Sequence, residues 1–326
     1  MKATAKAPAN IASIKYWGRK DEKLRLPAND SISMNLSEVF TITTVEFSES
    51  YKKDEVKLVG KKLDRKEEKR IIDHLDRVRN LAKIKTFAKV VTKNNFPTGT
   101  GIASSASGFA ALTVAAVKAS GLEFSERQLS ILARQGSGSA CRSIPDGFVE
   151  WKSGSSSDSS YAHTLFPPDW LNIVDILAVV EKKTKKISSS EGHALTESSP
   201  FYGVRISGME DKLKKIKQAL TNKDFKTFGE ISEAEAVNMH AVMMTSCPPL
   251  YYWTPETLKI ILSVIEWREE GLPVYFTIDA GPNVHLLALP EEIDKIVQRL
   301  KRIEGIKGII INKPTEGAKT ISTHLF

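Results

Sequence analysis

Two short segments near the middle of the chain are rich in glycine and serine, and each adjoins a segment with a helical pattern. Residues 94–109 read NNFPTGTGIASSASGF and residues 136–143 read GSGSACRS. Glycine lets a backbone approach an anion closely, and Ser104 and Ser105 fall where the next helix should begin. These features indicate a phosphate site, with a flexible loop before an ordinary helix as the alternative. The segment is not a Walker A loop, because Gly-Lys-Ser/Thr is missing.

A lysine interrupts an otherwise apolar or neutral stretch near the N-terminus. Lys15 lies in PANIASIKYWGRKD, residues 8–21, whose first half is typical of a buried strand. A lysine in that position either extends its ammonium group to the surface or meets a buried anion. Arg19 and Lys20, which follow closely, favour a cluster of cations around an anion.

Two further residues have types suited to holding or activating a substrate. Arg142 lies in the second small-residue segment and offers a planar fork of donors to a carboxylate or phosphate, although a structural salt bridge is the alternative. Asp279 follows an apolar strand, residues 273–277, and precedes a Gly-Pro turn. It could project into a cleft, but spacing alone favours an Asx-turn that merely holds the loop.

Other chemistries find little support in the sequence. His240 lies in a helical pattern and is interpreted as a packing histidine, and no group of residues has metal-ligand or Ser-His-Asp spacing. A metal should therefore arrive as Mg²⁺ on a nucleotide. Cys141 and Cys247 form no disulfide framework, and we expect buried free thiols, with a single bridge left open.

Composition limits the class of protein. The chain has 326 residues, 41% hydrophobic residues and a net charge of +8, which is enough for a proper core in one large or two medium domains. No apolar run reaches the length of a membrane span and no signal peptide is apparent, so we expect a cytoplasmic protein. The basic runs at 61–70 and 182–186 are interpreted as solvated surface. Abundant Lys, Glu and Ile with four Gln residues suggest a thermophilic, archaeal source.

Periodicity predicts an α+β chain whose elements alternate in type. Residues 31–36 and 41–47 alternate as two half-buried strands, and 55–63 resemble a hairpin around Gly60. The remaining expected elements are helices at 65–83, 104–119, 126–134, 209–220, 224–242, 255–270 and 291–303, strands at 87–91, 173–180, 273–278, 284–289 and 308–312, and a surface loop at 152–160. We place a domain boundary near Asp169, giving domains 1–168 and 169–326.

Six motifs occur in an order and spacing that resemble one family. They are NIASIKYWGR at 10–19, LPANDSIS at 26–33, NNFPT at 94–98, GIASSASGF at 101–109, GSGSACRS at 136–143 and DAGPN at 279–283. Together they are similar to diphosphomevalonate decarboxylases of the GHMP kinase superfamily. The resemblance implies an N-terminal domain like the second domain of ribosomal protein S5, a ferredoxin-like C-terminal domain, an active site between them, and a homodimer.

The resemblance also implies a reaction. The family converts (R)-5-diphosphomevalonate and ATP, with Mg²⁺, into isopentenyl diphosphate, CO₂, ADP and phosphate. Asp279 would take or orient the proton of the tertiary 3-hydroxyl during phosphoryl transfer, and Lys15 would hold Asp279 ionised. Arg142 would grip the carboxylate that leaves as CO₂, and Asn10 would fix the same end of the substrate.

The remaining contacts carried over from the family concern phosphates. The substrate diphosphate would be bound by Tyr16, Arg19, Ser137, Ser139 and Ser189. The ATP phosphates would be bound by Gly99, Gly101, Ile102, Ala103, Ser104 and Ser105, with Asn95 and Ser190 as lesser candidates. No dedicated metal site is expected, and Mg²⁺ carried by ATP would lie near Ser105.

The sequence departs from the family pattern in three places. Asp30 replaces a small hydroxyl residue, Arg19 stands where lysine is more frequent, and SSSEGH at 188–193 replaces a pattern that ends in Gly-Met. Some relatives decarboxylate the monophosphate or only phosphorylate the 3-hydroxyl, and these activities are the nearest alternatives. Binding of nucleic acid by a basic, S5-like domain is a remote one, and we expect neither nucleic acid nor membrane as a partner.

Overall fold

The computed structural model describes residues 1–96, 104–180 and 187–326. Its strands are β1 (Lys2–Ile14), β2 (Arg19–Asp21), β3 (Leu26–Pro27), β4 (Ser31–Ser48), β5 (Glu55–Leu58), β6 (Phe87–Asn94), β7 (Phe148–Trp151), β8 (Ala162–Phe166), β9 (Val174–Val179), β10 (Val274–Thr277), β11 (Val284–Ala288), β12 (Gly308–Asn312) and β13 (Lys319–Ile321). Its α-helices are α1 (Arg65–Ala82), α2 (Ser104–Ala119), α3 (Glu126–Gly136), α4 (Ser189–Ala194), α5 (Tyr202–Ser207), α6 (Met209–Thr221), α7 (Phe225–Met244), α8 (Pro255–Glu269) and α9 (Ile293–Leu300). Short 3₁₀ helices lie at Gly138–Ser143, Thr196–Ser198 and Pro290–Glu292.

The larger sheet has the strand order β13-β1-β4-β6-β5, and β7 and β8 extend it beside β4. Helix α2 packs on this sheet, and most of its side chains are buried among β1, β4, α1 and α3. Such an apolar helix, rich in alanine, suits a central position where other elements pack on several sides. Its first residues are Ser104 and Ser105, so the sheet and the core fix where this N-terminus points.

The second sheet is antiparallel throughout, with the order β10-β11-β9-β12. Helices α8 and α9 cover it on one side, while α6 and α7 contribute to a second core that also includes β1 and β4. Strand β9 is buried along its whole length, as its continuous apolar run predicts. The predicted α+β class is therefore confirmed.

Three expectations about strands are wrong. Residues 31–36 and 41–47 belong to one strand, β4, and residues 31–36 are buried on both sides instead of half-buried. The apolar residues of 31–36 join the second core, whereas Asn35 on the other side donates to the Pro145 carbonyl. Residues 55–63 form no hairpin of strands, because β5 pairs in parallel with β6 and only a single bridge closes the turn at Gly60.

The polypeptide returns to the larger sheet near its C-terminal end. Strand β13 pairs antiparallel with β1, with Thr4 opposite Ile321. The division into 1–168 and 169–326 stays a prediction, and residues 319–321 lie in the sheet of the first half. None of the helices within the described ranges is long and apolar enough to cross a membrane.

Candidate active site

A cavity of about 570 Å³ lies where the two halves of the chain meet. The first half contributes the ends of β1 and α2, the N-terminal turns of α1 and the 3₁₀ helix Gly138–Ser143. The second half contributes α4, α7 and the residues after β10. The predicted site residues that line it are Asn10, Lys15, Tyr16, Arg19, Ser104, Ser105, Ser137, Ser139, Arg142, Ser189, Ser190 and Asp279.

Lys15 and Asp279 form an ion pair in this cavity, with 2.7 Å between Nζ and Oδ1. Lys15 directly follows β1 and its side chain is 1% exposed, whereas that of Asp279, two residues after β10, is 28% exposed. The lysine therefore pairs with an anion at the wall of the cavity and does not extend to the surface. The carboxylate faces the cavity, as expected of a group that meets substrate.

The pair holds a carboxylate in its ionised form. Burial alone would raise the pKa of Asp279, but the charge and the hydrogen bond of Lys15 outweigh it and hold the pKa below 3.8. Burial lowers the pKa of Lys15 from 10.5, while the negative charges of Asp279 and Glu235 oppose that change. A carboxylate with such a low pKa is a weak base and a good hydrogen-bond acceptor.

Arg142 is buried at 3% exposure beside this pair and is oriented by neutral groups. Its guanidinium donates to Asn10 Oδ1 at 3.2 and 3.3 Å and to Ser31 Oγ at 2.8 Å. Across residues 1–96, 104–180 and 187–326, Arg142 makes no ion pair within 4.0 Å, so no structural salt bridge explains it there. Asn10 donates in turn to the Ser139 carbonyl and to Ser143 Oγ, at 3.2 and 2.8 Å. The arrangement places a fixed cation next to the cavity.

Serine hydroxyls form another part of the wall. Ser104 and Ser105 begin α2, and Ser137 Oγ donates to Ser105 Oγ at 3.2 Å. Four predicted residues, Gly99, Gly101, Ile102 and Ala103, lie outside the described residues. Asn95 does not line this cavity, since its amide accepts from the Phe40 N–H at 2.8 Å and donates to the Glu38 carbonyl at 2.7 Å.

Sequence reasoning missed a group of cations at the mouth of the cavity. Arg25, Lys66 and Arg70 join Arg19 there. Arg25 and Arg70 donate to the carbonyls of residues 135 and 136, each at 3.2 Å. Burial, followed by repulsion from Arg19 and Arg70, lowers the pKa of Arg25 to about 10. Cations that repel one another are stabilised by a bound anion.

A local signal for these cations was present in the run 61–70, which we interpreted as solvated surface. Lys66 and Arg70 are four residues apart, and such a pair shares one face of a helix. Arg25 has no comparable signal, because it lies in a turn at positive φ between β2 and β3. Its position depends on how that turn folds onto α3.

Aromatic rings hold the segment that carries Tyr16 and Arg19. The His193 ring lies 4.2 Å from that of Tyr16 and 4.6 Å from that of Trp17, and its Nδ1 accepts the Gly18 N–H at 3.0 Å. Burial, with Arg19 and Arg25 nearby, keeps the pKa of His193 well below 6.5. The ring is therefore neutral, with its proton on Nε2. His193, which replaces the methionine of the family pattern, thus has a structural role here.

The backbone conformation and the close neighbours of residue 18 require a glycine. Gly18 has a φ of +101°, and an added Cβ would lie 2.1 Å from the Tyr202 hydroxyl. The chain can therefore turn towards Arg19 only without a side chain here. The Arg19 Nε donates to the Tyr16 hydroxyl at 2.7 Å, and its Nη1 pairs with Glu22.

Asp30 and the two cysteines do not line the cavity. Asp30 accepts the Ser153 N–H at 2.6 Å, so its carboxylate fixes a neighbouring loop. Both cysteines are free, with Cys141 buried and Cys247 exposed, so the expectation of burial is wrong for Cys247. Burial raises the pKa of the Cys141 thiol to about 12, which leaves it unreactive.

Two family models match this chain. Residues 7–162 match the diphosphomevalonate decarboxylase-like N-terminal domain, and residues 175–321 match the mevalonate 5-diphosphate decarboxylase C-terminal domain. Among curated relatives, the diphosphomevalonate decarboxylase of Aspergillus fumigatus is 37% identical, over 93% of this chain and 81% of that protein. That of Saccharomyces cerevisiae is 34% identical, over 93% of this chain and 82% of the relative.

Solved structures give the same result. Mevalonate diphosphate decarboxylase from Enterococcus faecalis superposes with a TM-score of 0.93 at 37% identity, over 99% of both chains. A complex of MDDEF with MVAPP, AMPPCP and magnesium has the same TM-score, identity and coverage. The enzyme from Staphylococcus aureus has a TM-score of 0.92 at 39% identity, over 98% of both chains. The two domain matches, the relatives and the shared architecture show that this chain belongs to the diphosphomevalonate decarboxylase family, with its GHMP kinase-type fold.

Proposed function

We propose that the protein catalyses the ATP-dependent decarboxylation of mevalonate 5-diphosphate to isopentenyl diphosphate, CO₂, ADP and phosphate. The observation that carries the proposal is one cavity in which Lys15 and Asp279 are paired at 2.7 Å while Arg142 lies beside them. Family membership supports the reaction, and MDDEF has been crystallised with MVAPP, AMPPCP and magnesium.

Asp279 acts on the tertiary 3-hydroxyl of the substrate. Its low pKa makes it a poor base in the ground state, so it accepts a hydrogen bond and orients the oxygen for attack on the γ-phosphorus. Phosphoryl transfer proceeds through a loose transition state, in which the proton becomes acidic only as the bond to phosphorus forms. Lys15 keeps Asp279 ionised and balances negative charge at the reacting centre.

Decarboxylation follows from the phosphorylated centre. Departure of the 3-phosphate leaves positive character on the tertiary carbon, and the electrons of the bond to the carboxylate then form the double bond as CO₂ leaves. Arg142 and Asn10 hold the carboxylate end in place. The fixed hydrogen bonds from Arg142 to Asn10 and Ser31 support that role, because a held cation orients without reorganising.

The diphosphate end binds at the mouth of the cavity. Tyr16, Arg19, Ser137, Ser139 and Ser189 are the contacts first expected there, and all five line the cavity. Arg25 and Arg70 add two donors with partly buried guanidinium groups. The mutual repulsion of these arginines supports an anionic ligand between them.

The ATP phosphates bind at the start of α2. Ser104, Ser105 and Ser190 line the cavity, and the N–H groups in the first turn of a helix are suited to binding phosphate. The residue types suit a nucleotide-borne Mg²⁺, because Ser105 and Ser137 offer hydroxyl oxygens at the cavity wall. When bound, Mg²⁺ supplies charge neutralisation between phosphate groups.

The test is incubation of the purified protein with ATP, Mg²⁺ and each mevalonate phosphate. Release of CO₂ with the 5-diphosphate and not with the 5-monophosphate is the expected result. Release with the monophosphate would point to a phosphomevalonate decarboxylase. A phosphorylated product without CO₂ would point to a 3-kinase, and either result would contradict the proposal.

Several broader expectations stay predictions. They are a cytoplasmic location, a homodimer, a thermophilic archaeal source, and binding to neither nucleic acid nor membranes. Light scattering coupled to size-exclusion chromatography measures the mass of the assembly and so checks the homodimer. A thermal melt measures the stability expected of a thermophilic protein.

A further inference from the structure

The peptide of Lys15 is held by side chains and not by a sheet. Strand β1 ends at Ile14, which pairs with Ile32, so the Lys15 peptide has no partner in that ladder. Its N–H instead donates to Glu235 Oε1 at 3.2 Å, and its carbonyl accepts from Arg205 at 3.2 Å and from Asn29 at 3.0 Å.

Glu235 and Arg205 are themselves an ion pair in the interior. Their side chains are both 0% exposed, with 2.6 Å between Nη2 and Oε1. Lys212 donates to the other carboxylate oxygen at 2.9 Å, and Asn238 accepts from Arg205 at 2.8 Å. A charged pair at this depth contributes little net stability, because desolvation offsets its attraction. Arg205 Nε, moreover, is buried without a hydrogen-bond partner among the described residues.

The same helix also holds the other member of the reactive pair. Glu235 and His240 both lie on α7, and His240 Nε2 donates to the Asp279 carbonyl at 3.2 Å. Burial lowers the pKa of His240 to about 3, so the ring is neutral with its proton on that nitrogen. Helix α7 therefore contacts the backbone of Lys15 from the first half and that of Asp279 from the second.

We propose that Glu235, together with Arg205, is a positioning residue that aims the Lys15 ammonium at Asp279. Glu235 does not line the cavity, so it acts through Lys15 and not on the substrate. The inference rests on the proposed function for its kinetic consequences. Its structural consequence, the strength of the Lys15–Asp279 pair, can be measured without substrate.

The test is Glu235→Gln, with Glu233→Gln as a matched control. Glu233 lies on the same helix, pairs with Arg268 at 2.8 Å and accepts the Phe276 N–H at 3.2 Å, yet does not line the cavity. We expect Glu235→Gln to lower kcat by about 10²-fold, as a misplaced reactive group does, with KM for ATP within about twofold. Glu233→Gln should keep kcat within about twofold.

A shift in pH dependence separates positioning from general damage. Lys15 lowers the pKa of Asp279, so a displaced Lys15 lets that pKa rise and moves the acid limb of kcat/KM to higher pH. The other charged or titratable groups near the pair are Arg142, His240 and His285, the last bound to Asp175 at 2.9 Å. All three are unchanged in the variant. Loss of the Glu235 charge, which leaves Arg205 and Lys212 with one carboxylate partner fewer, would by itself lower the pKa of Asp279, so an upward shift reports displacement of Lys15.

The pKa of Asp279 can be measured without substrate by ¹³C NMR of its carboxyl group. The signal is assigned by its disappearance in the Asp279→Asn variant. An upward shift in Glu235→Gln and none in Glu233→Gln supports the proposal even if the parent protein releases no CO₂. An unmoved Asp279 pKa, or equal loss of rate in both variants, overturns it. Should Glu235→Gln fail to fold, Arg205→Met/Glu235→Gln removes both buried charges together and must show the same shift. If neither variant folds, the proposal is also overturned, because the Arg205–Glu235 pair would then be needed for folding of the whole protein.

Discussion

The two ends of the cavity are built differently. At the inner end, Lys15 and Arg142 are almost fully buried, and their donors are aimed by protein acceptors. At the mouth, the side chain of Lys66 is 78% exposed and pairs with Glu191 at 3.4 Å across the opening. The inner end thus fixes geometry, and the mouth supplies positive charge with little geometric constraint. Changes at the inner end should therefore lower kcat, and changes at the mouth should raise KM for the diphosphate.

The largest effect is expected for Asp279→Asn. The amide keeps the shape of the carboxylate but cannot take the hydroxyl proton, so turnover should fall by about 10³-fold or more. Nucleotide binding, measured by titration calorimetry, should be kept. Asp146→Asn is the control, because Asp146 accepts the Gly317 N–H outside the cavity. Decarboxylation by Asp279→Asn at the parental rate would show that Asp279 is not catalytic.

The next largest effect is expected for Arg142→Lys, which should lower kcat/KM by about 10²-fold. Lysine keeps the charge but cannot donate to Asn10, Ser31 and a carboxylate in one planar fork. Arg79→Lys is a matched control: Arg79 is also buried, and it pairs with Asp54 and Asp76 away from the cavity. If both variants lose the same rate, stability and not substrate orientation explains the effect of Arg142.

Arg70→Gln tests the mouth. One lost charge-assisted hydrogen bond corresponds to about a tenfold rise in KM for the 5-diphosphate, with kcat within about twofold. The effect should shrink as salt is added. Arg299→Gln, which removes a surface pair with Glu270, should leave KM unchanged. A fall in kcat at constant KM would show that Arg70 acts like the residues of the inner end. The proposed difference in role between the two ends would then be wrong.

The smallest effect is expected for Lys66→Ala. Its pair with Glu191 is exposed on both sides and is worth little free energy, so KM should change by about twofold or less at moderate salt. Initial rates measured across a range of diphosphate concentrations check this. A tenfold change would mean that the bridge across the opening governs access to the cavity.

Local patterns predicted the elements well where one property decides the structure. Helix α2 begins and ends at the expected residues, 104 and 119, because serines precede a continuous run of small apolar residues. For Asp279, the acid after a strand, spacing alone favoured an Asx-turn, whereas its carboxylate pairs with Lys15 in the cavity. The family resemblance, not periodicity, brought Lys15, Arg142 and Asp279 together, since each local pattern alone left a structural alternative.

Other features depend on contacts between distant segments. Residues 31–36 alternate like a half-buried strand, yet α-helices of the second half cover one side and the segment 138–147 covers the other. The Arg205–Glu235 pair joins α5, a six-residue helix that the sequence did not predict, to α7. No periodicity records such a pairing, because it forms only when α5 packs against α7.

The antiparallel pairing of Thr4 with Ile321 has a consequence for biosynthesis. During translation, β1 is made long before β13, so this edge stays uncovered until β13 emerges. An exposed edge strand invites pairing with other nascent chains, so the waiting period is the time of greatest aggregation risk. Expression of the first half by itself would make that hazard permanent.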